Sequence, residues 1–151
     1  MALVLVVVVA FAALLSGCGK SEDAVDPLLD KAGQARDAKA FSSLQQALTV
    51  AALVKAESGG SYGSGAEDLA QKLQAKDPSK RFSTAPSGGP EQIQVLGGGG
   101  AAMLVATSES KSYLGVWDNG NGTPMYYRGA QPPPFSPQRP SGGGWSDRPL
   151  S

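Results

Sequence analysis

The chain has 151 residues, thirteen basic and thirteen acidic, so no broad field recruits nucleic acid or an anionic membrane. It has no histidine and one cysteine, which excludes His-based triads, imidazole metal sites, intrachain disulfides and paired-cysteine redox or metal motifs. Apolar residues make up 41% of the chain but crowd into its first fifteen positions, and the remainder suffices for one small domain, not two.

Residues Ala2 to Leu15 are uninterrupted apolar side chains, and no charge appears before Lys20. Such a run is shorter than the roughly 20 residues a membrane-spanning helix needs, and it fits the apolar region of a secretory signal peptide. The four residues that close this run, Leu15-Ser16-Gly17-Cys18, resemble the lipobox of bacterial lipoproteins. The resemblance implies cleavage between Gly17 and Cys18, removing a signal peptide over 1–17. It also implies a lipid on the Cys18 thiol, with acyl chains such as palmitate holding the protein to the membrane at the extracytoplasmic face of the cell envelope. Each buried methylene adds about 0.8 kcal/mol, so two or three chains hold firmly where one does not. The competing reading is a short uncleaved anchor helix with an incidental cysteine.

Residues 18–25 form a polar tether. Asp26-Pro27 then has the form of a helix start, with Asp as N-cap and Pro in the first turn. Leu28, Ala32 and Ala35, then Phe41, Leu44, Leu48 and Ala51 or Ala52, recur at spacings of three and four within each run, which predicts one apolar stripe. Lys31, Arg36, Asp37 and Lys39 lie mostly off it, and Gly59-Gly60 ends the helix. A second helix is expected near Ala66–Ala75, with Leu69 and Leu73 as its buried pair. Phe82 reads as a core plug beneath a polar loop.

The period then changes to two. Glu91–Val95, Met103–Thr107, Ser112–Trp117 and Met125–Arg128 are expected as four strands of an antiparallel meander, one face on the long helix and the other wet. Asn119-Gly120 and Asn121-Gly122 suit a hairpin turn. From Gly129 onward, six prolines and four glycines in 23 residues predict a disordered tail with polyproline II character at Pro132–Pro134.

Candidate chemical motifs are weak. Asp118–Gly122 suggests a calcium loop, but Gly120 and Gly129 stand where ligands are needed, and a hairpin turn accounts for it better. Gly19-Lys20-Ser21 lacks the earlier glycine and preceding strand of a phosphate loop. Gly97–Gly100 has no helix N-terminus after it. Asn121-Gly122-Thr123 fits a glycosylation pattern, which carries little weight beside a resemblance to the lipobox of bacterial lipoproteins. Tyr113, Trp117, Tyr126 and Tyr127 could form a ligand platform, though aromatics on a small sheet are more often core and cross-strand pairs. Pro132–Phe135 could dock in an aromatic groove; a spacer is the plainer reading. No catalytic residue, metal site or cofactor is expected.

From Pro27 onward the order of pieces resembles the globular head of type IV pilins and the pseudopilins of type II secretion. The resemblance rests on Ala35-Arg36-Asp37-Ala38-Lys39-Ala40-Phe41-Ser42-Ser43-Leu44, on Gly60-Ser61-Tyr62, on Glu67-Asp68-Leu69 and on Gly122-Thr123-Pro124-Met125-Tyr126-Tyr127. It implies a long helix packed on an antiparallel sheet, and pilin-like or secretion-system envelope proteins as partners. Pilins also carry a Gly-Phe cleavage site and a glutamate in a roughly 20-residue apolar helix; Ala2–Leu15 contains no acid, and a polar stretch follows it.

The expected fold is therefore α+β: one domain over 26–128, a long N-terminal helix on a small antiparallel sheet of about four strands, and a disordered tail over 129–151. The expected function is that of a non-enzymatic, lipid-anchored structural or interaction module. A pilin or pseudopilin subunit is the first alternative, and a ligand-binding lipoprotein using the aromatic sheet face is the second.

Overall fold

The computed structural model describes residues 22–150, with side chains from residue 32 onward. The expected signal peptide, Gly17, Cys18, the Gly19-Lys20-Ser21 motif and the start of the tether lie outside the described residues. Those residues hold two helices and six strands: α1 (Glu22–Glu57), α2 (Ala66–Lys76), β1 (Arg81–Ser83), β2 (Gln92–Gly98), β3 (Ala101–Thr107), β4 (Tyr113–Asp118), β5 (Met125–Gly129) and β6 (Trp145–Ser146). The fold class is α+β. The chain divides into two units after Ala32. In the first, α1 is already helical at Glu22, so Asp26-Pro27 lies inside the opening turns and is not the cap.

The second unit, Gly33–Ser151, holds the rest of α1 and everything after it. Here Ala40, Leu44, Ala47, Ala51 and Val54 form the buried stripe. Its spacings of three and four are those expected, but its centre is alanine, while Phe41 and Leu48 pack half-buried along its flanks. Ala35 and Ala52 are exposed. Asp37, expected off the stripe, lies on it and is buried, because the same repeat extended backward from Ala40 reaches position 37. Gly59 and Gly60 end the helix in left-handed conformations, with Gly60 N–H bonded to Lys55 C=O at 2.9 Å, as in a Schellman closure.

α2 buries Leu69, Ala70 and Leu73. Phe82 is buried as expected, yet it belongs to a strand: β1 pairs parallel to β2, with Phe82 opposite Ile93. Three residues of RFS alternation were too short to read as a strand. The four expected strands are β2 to β5, an antiparallel meander with bounds moved by up to three residues. β6 extends it by pairing antiparallel with β5. The sheet is thus six-stranded and mixed, in the order β1 to β6, and not a purely antiparallel set of four.

Both faces of its centre are covered. One face presents Ile93, Val95, Leu104, Leu114 and Val116 to the α1 stripe and to α2. The opposite face carries Met103, Val105, Trp117 and Met125, with Trp145 packed against them. Every residue of β3 is buried. The cover on this second face is the segment expected to be disordered. Trp117 Nε1 donates to Ser136 O at 2.9 Å, Tyr127 OH donates to Gln131 O at 2.8 Å, and the Tyr127 ring meets Trp145 at a 52° tilt with centroids 5.3 Å apart. Leu150 packs against the α1-side cluster. Few large apolar groups suffice here because the proline-rich chain has less conformational entropy to lose and lies on a surface already formed. The glycine run at the β2–β3 turn is needed for close approach. A side chain on Gly97 (φ 88°) would strike the Phe135 ring, and one on Gly98 (φ 136°) would strike the Gly65 backbone.

Candidate functional site

Three polar clusters stand out from the core. In the first, Tyr62 is fully buried just beyond α1 and its hydroxyl donates to Asp118 Oδ2 at the end of β4. Burial, then the hydrogen bond and negative charge of Asp118, push the phenol well above its ordinary range. Lys55 Nζ lies 4.8 Å from the Tyr62 ring centroid and donates to Asn119 O. The second carboxylate oxygen of Asp118 accepts from Gly120 N at 2.8 Å, and Asn119 Oδ1 accepts from Asn121 N at 3.0 Å. The Asp-Asn-Gly-Asn-Gly loop is therefore a turn held by its own side chains, with both Asp118 oxygens already engaged. The cluster ties the end of α1 to the β4–β5 hairpin.

The second cluster centres on Asp37. Its Oδ1 accepts from Ser110 Oγ at 2.6 Å, in the β3–β4 turn, and its Oδ2 stands 2.6 Å from Arg128 Nη2 on β5. The Arg128 contact is an ion pair and not an aligned hydrogen bond. A Cβ at Gly33, in phase with Asp37 on α1, would lie 3.9 Å from Arg128 Nη2, an ordinary contact, so the ion pair does not require glycine there. A pocket of about 220 Å³ adjoins the pair, with Phe41, Leu114 and Leu150 as its apolar walls.

The third is a groove of about 500 Å³ between α2 and β1, floored by Ala70 and Phe82 and rimmed by Glu67, Gln71, Gln74 and Thr84. Gln74 bridges it, with Nε2 donating to Lys80 O at 2.9 Å and Oε1 accepting from Phe82 N at 3.0 Å. Close by, Asp68 Oδ2 accepts from Ser64 N at 2.8 Å and from Lys72 Nζ at 3.0 Å. The Ser64 bond first, then Lys72, hold this exposed carboxyl below its usual range.

The aromatic residues do not make a platform. Trp117 and Tyr127 are buried beneath the C-terminal segment, and Tyr126 meets Phe41 edge-on at 6.2 Å, toward α1. Phe135, from the Pro132–Phe135 motif, lies over Gly97. The Gly97–Gly100 turn pairs with the α1–α2 loop, Tyr62 N donating to Gly99 O and Gly99 N to Gly63 O, each at 2.8 Å. Among the described residues no cluster of three or more metal-ligating side chains occurs, and no helix is long and apolar enough to cross a membrane. Sequence reading missed Asp37 as a buried group, although its helical phase signalled it. It also missed Gln74, which no local pattern marks.

No family model matches the chain, and no similar protein was found among curated proteins or solved structures.

Proposed function

We propose that the protein is a bacterial envelope lipoprotein, tethered through Cys18, whose pilin-like head acts as a structural or protein-interaction module. The observation that carries this reading is the path of α1. The helix is formed at Glu22, four residues past Cys18 in sequence, and its later turns lie under the β2–β5 meander. One long helix on a four-strand meander is the pattern expected of a pilin-like head, and the strands β1 and β6 add only to its edges. The lone thiol directly after Leu-Ser-Gly supports the lipid anchor.

Intact mass of the membrane-extracted protein tests the anchor. Loss of residues 1–17 with added acyl mass is expected, and Cys18→Ala is expected to leave an unprocessed precursor. Normal processing and membrane fractionation of that variant would overturn the lipoprotein reading. A second reading, a pilin or pseudopilin subunit assembled by helix packing, is favoured by one feature: positions 40–54 of α1 carry no charge.

A further inference from the structure

The free edge of β1 is closed by a side chain in an informative way. Arg81 N–H donates to Glu91 O at 3.1 Å, toward β2. The groups on either side of it, Lys80 C=O and Phe82 N–H, take their partner outside the sheet, and Gln74 serves both. A C=O at one residue and an N–H two residues later are what one residue of a parallel neighbouring strand engages. A carboxamide has a peptide group's chemistry, so Gln74 stands where the backbone of a further strand would lie. Edge strands with open hydrogen-bonding groups are templates for pairing, and a lone side chain is a cover that a peptide can replace bond for bond.

A groove of about 500 Å³ adjoins this edge, between α2 and β1, with buried Ala70 and Phe82 as its floor. A channel bounded by an edge strand on one side and a helix on the other suits strand addition: main-chain bonds give affinity and alternate side chains meet the floor. On the rim, Glu67 is exposed and engaged only by a 3.2 Å hydrogen bond from Thr84 Oγ1. We propose that the α2–β1 groove docks an extended segment of a partner protein, laid parallel to β1 in place of the Gln74 carboxamide. Its small apolar side chains sit over Ala70 and Phe82, and a basic one lies opposite Glu67.

The proposal deepens the interaction-module reading and rests on it for a protein partner, but not on Cys18. Lipid attachment is read by mass, so either claim can fail alone. The test uses the full isotope-labelled chain in detergent and a capped probe peptide, Lys-Thr-Val-Thr-Val-Thr-Val-Thr. Expected are amide shifts confined to β1, α2 and the Gln74 side chain. Gln74→Ala, by removing the competitor, should tighten binding about tenfold, and Gln74→Glu, which keeps only the acceptor, by less. N-methylation of the probe at alternate backbone nitrogens should weaken binding about tenfold or more in the register that faces β1 and little in the other. That comparison uses the unaltered protein, so it stands even if Gln74→Ala fails to fold. Equal binding of both methylated registers, shifts elsewhere, or no binding at millimolar probe would overturn the proposal. So would self-association of Gln74→Ala without peptide binding, which would assign the edge to a second copy of the chain.

Discussion

Tyr62 gives up all contact with water, and its hydroxyl has one partner, the carboxylate of Asp118. Tyr62→Phe keeps the ring in the core and under Lys55 but strips that partner from a carboxylate that is itself 9% exposed, a loss of about 1–3 kcal/mol. The pH dependence has a definite sign. The folded state raises the phenol above its ordinary 10.0, so the native form keeps a proton that the unfolded chain releases. That contribution is complete below pH 10.0 and drains as pH rises beyond it. Urea melts between pH 7 and 11 should therefore show an alkaline loss of stability that is shallower in Tyr62→Phe; parallel curves would assign the loss to other groups. The burial of Tyr62 had no local signal, since Ser61 and Gly63 flank it and Asp118 is 56 positions away. Asp37 differs: its position three before Ala40 and seven before Leu44 put it on the buried face, and only its charge argued otherwise.

At the scale of elements, the C-terminal segment is the second cover of the sheet, which predicts that removing it is costly. Deleting residues 130–151 would take the half-buried Trp145 and Leu150 away and leave the Trp117 indole without its acceptor. It would also open the face of Met103, Val105 and Trp117 to water. With each large apolar side chain worth about 1.5–3 kcal/mol on burial, the loss should exceed roughly 3 kcal/mol in denaturant melts. A change below about 1 kcal/mol would mean the segment is dispensable. On the other face, Leu44→Ala empties the middle of the α1 stripe and should destabilise by about 2–5 kcal/mol, measured the same way. The strands of the meander were legible from their period and turns. So, in principle, was the covered second face: Ala101 to Ala106 is an unbroken apolar run, which a half-wet strand does not carry. What could not be read was the cover itself. Its contacts are single residues at long range, Phe135 to Gly97 and Ser136 to Trp117, and proline-rich composition argues only about an isolated chain.

For the whole molecule, the change of period from 3.6 to 2 near residue 90 was enough to assign the α+β class, whereas the reading of what the protein does depends on Cys18, outside the described residues. The outward face of α1 decides between a solitary tethered head and a subunit of an assembly. Ser42, Gln45, Gln46, Thr49 and Ala52 are exposed there, and Leu53 is 54% exposed, with no charge between Lys39 and Lys55. A helix face that stays in water accepts a charge easily, and an exposed substitution away from special features changes stability by less than about 0.5 kcal/mol. A face buried between copies does not, because a lysine without a partner in a dry interface carries the full desolvation penalty. Leu53→Lys therefore separates the two readings without disturbing the fold. For the lipid-tethered head, denaturant melts, membrane fractionation and the pattern of in-cell cross-linking should all match the unaltered protein. If instead the melts are unchanged while a ladder of cross-linked copies disappears, α1 is packing against its neighbours in an assembly, and the pilin-subunit reading takes the place of the solitary one.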